Sequence, residues 1–141
     1  MCGIVGIINF GKKEKIDSNL LIKMRDEMKH RGPDDCGIWI SKDGFKGLAH
    51  RRLSIIDLSK AAGQPMSNED NSIWVIYNGE IYNHLEIRKE LVEKGHIFKT
   101  DHSDTEVIIH SFEEWGIDCV SRFRGMFAFC IWDDRNEEAW L

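Results

Sequence analysis

The chain has 141 residues, 42% of them apolar and 30% charged, with 19 basic and 24 acidic side chains and a formal net charge of −5. That length suits one domain with its own core, and the balance is that of a globular protein rather than a disordered chain. No basic cluster stands apart from acids, which argues against a nucleic-acid partner, and no apolar run is long enough to cross a membrane.

The cysteines Cys2, Cys36, Cys119 and Cys130 form no CxxC pair and no metal-type spacing. Neither disulfides nor a metal site is therefore expected. The start, MCGIVGIINFGKK, lacks the basic segment that precedes a secretory signal core, so a cytoplasmic location with reduced thiols is expected. Cys119 and Cys130 lie among apolar neighbours and read as small core residues.

In chain order, Ile4 to Phe10 is a β-branched apolar run closed by Gly11, which predicts a buried strand that begins almost at the first residue. Leu20, Leu21, Met24 and Met28 recur at helical spacing and predict a helix from Asp17 to His30, with Asp17 or Ser18 as N-cap and Pro33 as its stop. Gly37–Ser41 and Phe45–Leu53, joined across Asp43-Gly44, predict a hairpin, and Ile73–Tyr77 a further strand. Asn83 with Glu86 and Ser103 with Glu106 are capping-box patterns, opening helices that end at Lys94-Gly95 and near Gly116. Phe127 to Trp132 predicts a last buried strand. Strands punctuated by helices without strict alternation point to a layered α+β fold.

Chemistry concentrates in a few places. Removal of Met1 would leave Cys2 with a thiol and a free α-amine on one residue, and an amine of pKa about 8 is a usable base near neutral pH. A coincidental cysteine at that position is the other reading. Asn78-Gly79-Glu80 offers an amide, an unencumbered glycine N–H and a carboxylate, a set suited to a developing oxyanion, although Asn-Gly is also a favourable turn dipeptide. Arg51 and Arg52 should point to opposite faces of their strand, so that one of them can clamp a carboxylate and the other meets solvent. Asp104 either receives an ammonium group or serves only the helix dipole. His30-Arg31-Gly32-Pro33-Asp34-Asp35 reads as a helix stop and loop.

Taken together, Met1-Cys2-Gly3-Ile4, His30-Arg31-Gly32-Pro33-Asp34, Ala49 through Asp57, Gln64-Pro65, Asn78 through Asn83, Ser103-Asp104-Thr105-Glu106 and Gly125 through Phe129 resemble the glutaminase domain of glutamine-hydrolysing asparagine synthetases. These are class II amidotransferases with an N-terminal nucleophile. The resemblance covers nearly the whole chain. It implies a four-layer αββα sandwich of two antiparallel sheets of the Ntn-hydrolase type. It also implies Cys2 as nucleophile with its own amine as base, and Asn78 with the Gly79 N–H as oxyanion hole. Arg52 would hold the glutamine carboxylate, Glu80 and Asp104 its ammonium, and the backbone of Leu53, Ser54, Ile55 and Ile56 would line the same pocket.

The same resemblance implies glutamine as substrate, no cofactor or metal in this domain, and an ATP- and magnesium-dependent synthetase domain that uses the ammonia, in a homodimer when full length. It implies further that the domain continues beyond Leu141, leaving the sandwich incomplete here with apolar surface such as Trp132 and Trp140 uncovered. Amidotransferases of surface-polysaccharide or secondary metabolism share these motifs. So would a catalytically silent fragment or an N-terminal-nucleophile hydrolase of another amide, although Arg52 and Asp104 match an amino-acid head group.

Overall fold

The computed structural model describes residues 1–11, 13–55 and 58–141. Their strands are β1 (Gly3–Ile8), β2 (Asp35–Ile40), β3 (Lys46–Arg52), β4 (Met66–Ser67), β5 (Ile73–Ile81), β6 (Gly125–Asp133) and β7 (Glu138–Trp140). The α-helices are α1 (Ser18–Glu27), α2 (His84–Glu93) and α3 (Asp104–Trp115), with 3₁₀ turns at Lys60–Ala62 and Gly116–Arg122. Two antiparallel sheets result, ordered β1-β3-β2 and β4-β5-β6-β7.

Side-chain alternation assigns the layers. On β1 and β3, Ile4, Ile8 and Leu48 face the second sheet, where Ile76, Cys130 and Trp132 meet them. Gly3 and Gly47, of the opposite parity, face α1: a Cβ on Gly3 would lie 2.8 Å from Met28 Cβ, and one on Gly47 would lie 2.7 Å from Leu21 Cδ2. On the outer side of the second sheet, Val75, Tyr77, Ile81, Phe129 and Ile131 pack against Ile87 and Leu91 of α2 and Val107, Ile108 and Phe112 of α3. The order is helix, sheet, sheet, helices, as the resemblance implies, and Cys119 and Cys130 are buried in it. Burial pushes both thiols up to about 11, so they serve as packing.

Several predicted details change. α1 is capped by the Asp17 carboxylate on Asn19 N–H at 2.8 Å, but it ends at Glu27 rather than His30. Met28 and Lys29 switch to bonds with Arg25 and Asp26 carbonyls, tightening the chain and seating Met28 on Gly3. β5 runs past Tyr77 to Ile81, so Asn78-Gly79-Glu80 is a strand segment and no turn: β6 pairs with it through Ala128, Phe127 and Met126. Neither capping box forms. Asn83 bonds Arg122 O and Arg124 N, and Glu106 bonds Lys99 N and Thr100 N. Trp132, expected at an uncovered face, is fully buried with Phe10 and the Lys46 ammonium beside its ring, and Trp140 is half-buried on the core.

Candidate functional site

Cys2 precedes β1 on the face that Ile4 and Ile8 turn toward the second sheet. Because Gly3 pairs with Arg51 and Ile4 with His50, Cys2 falls level with Arg52, where β3 ends. Its Sγ accepts the Leu53 N–H at 3.3 Å, and the Leu53 carbonyl lies 3.7 Å away. Arg31 Nε donates to the Cys2 carbonyl at 3.1 Å, fixing the backbone of this residue.

The adjacent arginines diverge as strand geometry requires, but neither is a solvated edge charge; both are buried. Arg51 turns to the α1 side, donating to Gly32 O at 3.0 Å and approaching Asp26 Oδ1 at 3.6 Å. Arg52 turns the other way, donates to Ser59 O at 2.9 Å and lines a cavity of about 180 Å³. Cys2, Leu53 and Ile55 line it too. Ser54 does not: its N–H is committed to Asp34 Oδ2 at 2.8 Å. Ile56, the last of that run, lies outside the described residues.

The opposite wall comes from β5 and the start of α3, with Asn78, Gly79, Glu80 and Asp104 on the cavity. Asp104 is buried, and its Oδ2 accepts from Tyr77 Oη at 2.7 Å and Ile81 N at 3.2 Å. Burial, reinforced by the Asp104 charge, holds the Tyr77 phenol far above its ordinary range, so it remains a donor. Gln64 clamps the two elements together. Its Oε1 accepts from Tyr77 N at 2.6 Å, and its Nε2 donates to Thr105 Oγ1 at 3.2 Å. Between the sheets, His50 Nε2 sits 3.1 Å from Tyr77 O, and burial lowers the ring's pKa to about 4. The imidazole is neutral and donates through Nε2.

Every candidate residue of the sequence that is described here lines this one cavity, Ser54 excepted. Sequence reasoning missed its supports: Arg31 and Asp34 in the segment read as a loop, and Gln64, Tyr77 and Thr105. The signal of Arg31, Asp34 and Gln64 is faint because they act on backbone groups, which carry no residue-specific mark. Glycine at 79 also has a different reason from the one inferred. An added Cβ would meet Met126 O at 2.4 Å and Phe127 Cα at 2.5 Å, so the approach of β6 requires it. Gly32 is similarly constrained by the Arg51 backbone at 2.4 Å. Groups able to gather a cation lie elsewhere, around His110.

The thiol of Cys2 thus stands at a strand end of an αββα sandwich, across one cavity from an amide, a glycine and a buried carboxylate. The model of the glutamine amidotransferase domain matches residues 1–141, and the chain belongs to that family. It is 47% identical over 138 residues to asparagine synthetase [glutamine-hydrolyzing] 1 of Bacillus subtilis, across 96% of this chain and 21% of that one. It is 45% identical over 155 residues to putative asparagine synthetase [glutamine-hydrolyzing] 2 of Methanocaldococcus jannaschii, across 96% and 28%. The chain thus spans roughly a fifth to a quarter of the length of these relatives. A glutamine phosphoribosylpyrophosphate amidotransferase of B. subtilis shares the fold, with a TM-score of 0.73 at 19% identity over 93% of this chain and 35% of the other.

Proposed function

We propose that this domain hydrolyses glutamine to glutamate and ammonia with Cys2 as nucleophile. The observation that carries the reading is the convergence of Cys2, Arg52, Asn78, Gly79, Glu80 and Asp104, from both sheets and α3, on one cavity. Arg52 receives the α-carboxylate of glutamine, and Asp104 with Glu80 the α-ammonium, which orients the side-chain amide toward Sγ. Once Met1 is removed, the α-amine of Cys2 takes the thiol proton as sulfur attacks the amide carbon. Asn78 and the Gly79 N–H stabilise the oxyanion. The proton passes to the departing nitrogen, ammonia leaves, and water then cleaves the thioester to free glutamate and the thiol.

In the full-length protein the ammonia feeds an ATP- and magnesium-dependent synthetase domain that amidates aspartate, in the cytoplasm and as a homodimer. The relatives, named as glutamine-hydrolysing asparagine synthetases, support this acceptor, and the reduced thiol that the chemistry needs fits that compartment. Treatment with a glutamine-mimicking electrophile such as diazo-oxo-norleucine, followed by peptide mass mapping, tests the core of the reading. Stoichiometric label on Cys2 of a chain lacking Met1 is the expected result; label elsewhere, or turnover with Met1 retained, overturns it. Asparagine formation from aspartate, ATP and glutamine by the full-length protein tests the acceptor.

A further inference from the structure

Further along α3 from Asp104, His110 is 1% exposed. Its Nδ1 lies 2.8 Å from Glu113 Oε2, which makes Nδ1–H a donor and leaves Nε2 as the lone-pair nitrogen of the neutral ring. Nε2 is buried and has no hydrogen-bond partner among the described residues. It faces the gap between Glu106 Oε1 at 3.8 Å and Glu69 Oε1 at 3.9 Å. One ligand atom from each of these three residues falls within 4.8 Å of the others, and none of the three residues lines the cavity of Cys2.

We propose that His110 Nε2 and the carboxylates of Glu69 and Glu106 form a site for a divalent transition-metal ion of the zinc type, tying the turn between β4 and β5 to α3. Metal–ligand distances of about 2.0–2.2 Å bridge the 3.8 and 3.9 Å separations from Nε2 when the angle at the ion opens to about 130°, and the half-exposed Glu69 side chain is free to close on the third. Two carboxylates balance the ion's charge, and the imidazole favours a transition metal over calcium or magnesium.

The surroundings are built to orient the ligands. Glu106 accepts Lys99 N at 2.7 Å and Thr100 N at 2.8 Å, while Asn68 Nδ2 donates to Glu113 Oε1 at 2.9 Å. A carboxylate on the far nitrogen of a ligating histidine is the common second layer of such sites. The competitor for Nε2 is a proton. Burial opposes the charged ring, but Glu106 and Glu113, with Glu69 beyond them, outweigh it and hold His110 up to about 9. His96 and Lys99 also face this cluster. The ion must displace any proton on Nε2, so binding weakens toward acid.

Calorimetric titration of Zn²⁺ into the full chain, in a Cys2→Ser, Cys36→Ser background so that neither accessible thiol offers a second site, tests the proposal. One equivalent should bind with Kd near or below about 10 μM at neutral pH. Glu69 is about half exposed, so Glu69→Gln leaves the fold intact; it should weaken binding at least tenfold, and His110→Gln should abolish it. Absence of saturable binding, or an affinity unmoved by Glu69→Gln, would overturn the proposal. Should His110→Gln fail to fold, Glu69→Gln decides.

Discussion

The two walls of the cavity are made differently. On the first, Cys2 and Arg52 stand at the ends of β1 and β3, next to a segment whose Ile55 is 68% exposed, and they are steadied by Arg31 and Asp34 acting on backbone atoms. On the second, Asp104 is buried at the root of α3 and tied through Tyr77 and Gln64 into the main core. The first wall is open and held by a few directed contacts. The second is packed, so its geometry follows from the fold itself.

The largest effect separates chemistry from scaffold. Cys2→Ala should lower glutaminase turnover on the order of 10⁴-fold or more in a steady-state ammonia assay, while unfolding free energy shifts by less than about 1 kcal/mol. A large loss of stability would mean that the open wall is structural after all.

Between the walls, His50 offers a pH test. Its folded pKa of about 4 lies below the ordinary 6.5, so the unfolded chain takes up the proton first and stability is lost as pH falls from about 6.5 to 4. The loss should reach on the order of 3 kcal/mol in denaturant titrations and should flatten in His50→Gln. His110 acts in the opposite sense: held up to about 9, it contributes fully below about 6.5, and that contribution is lost as pH rises toward 9.

Arg52→Ala should raise KM for glutamine about 100-fold with a smaller change in kcat, because a carboxylate clamp acts on ground and transition states alike. The smallest expected effect is on the packed wall. Tyr77→Phe leaves Asp104 with the Ile81 N–H alone and should cost about 1–2 kcal/mol of stability and several-fold in KM. Unchanged KM would show that Asp104 holds its place without the phenol.

Much of this was legible beforehand because it rests on local rules. The hairpin across Asp43-Gly44 appears where predicted, with Gly44 at φ 80°, and Gly95 and Gly116 close their helices with positive φ. The losses came where distant partners outcompete local ones. Asn78-Gly79 has turn chemistry, yet β6 supplies a full ladder; Glu106 has capping chemistry, yet two loop N–H groups claim its carboxylate. β4 and β7 are short and take their definition from β5 and β6. At the site, reactive side chains announced themselves by type. Arg31, Asp34 and Gln64 grip main-chain atoms, and a carbonyl or an N–H reads the same in nearly every residue.

The alternation that sends Ile4 inward and Gly3 toward Met28 also sets a parity at the very start of the polypeptide. Adding or deleting one residue between Cys2 and Ile4 would leave the composition nearly untouched and rotate the sulfur to the opposite side of its sheet, into the layer of α1. Only an even change of length would keep it on the correct side, and by then it would have slid past Arg52 by a full pleat.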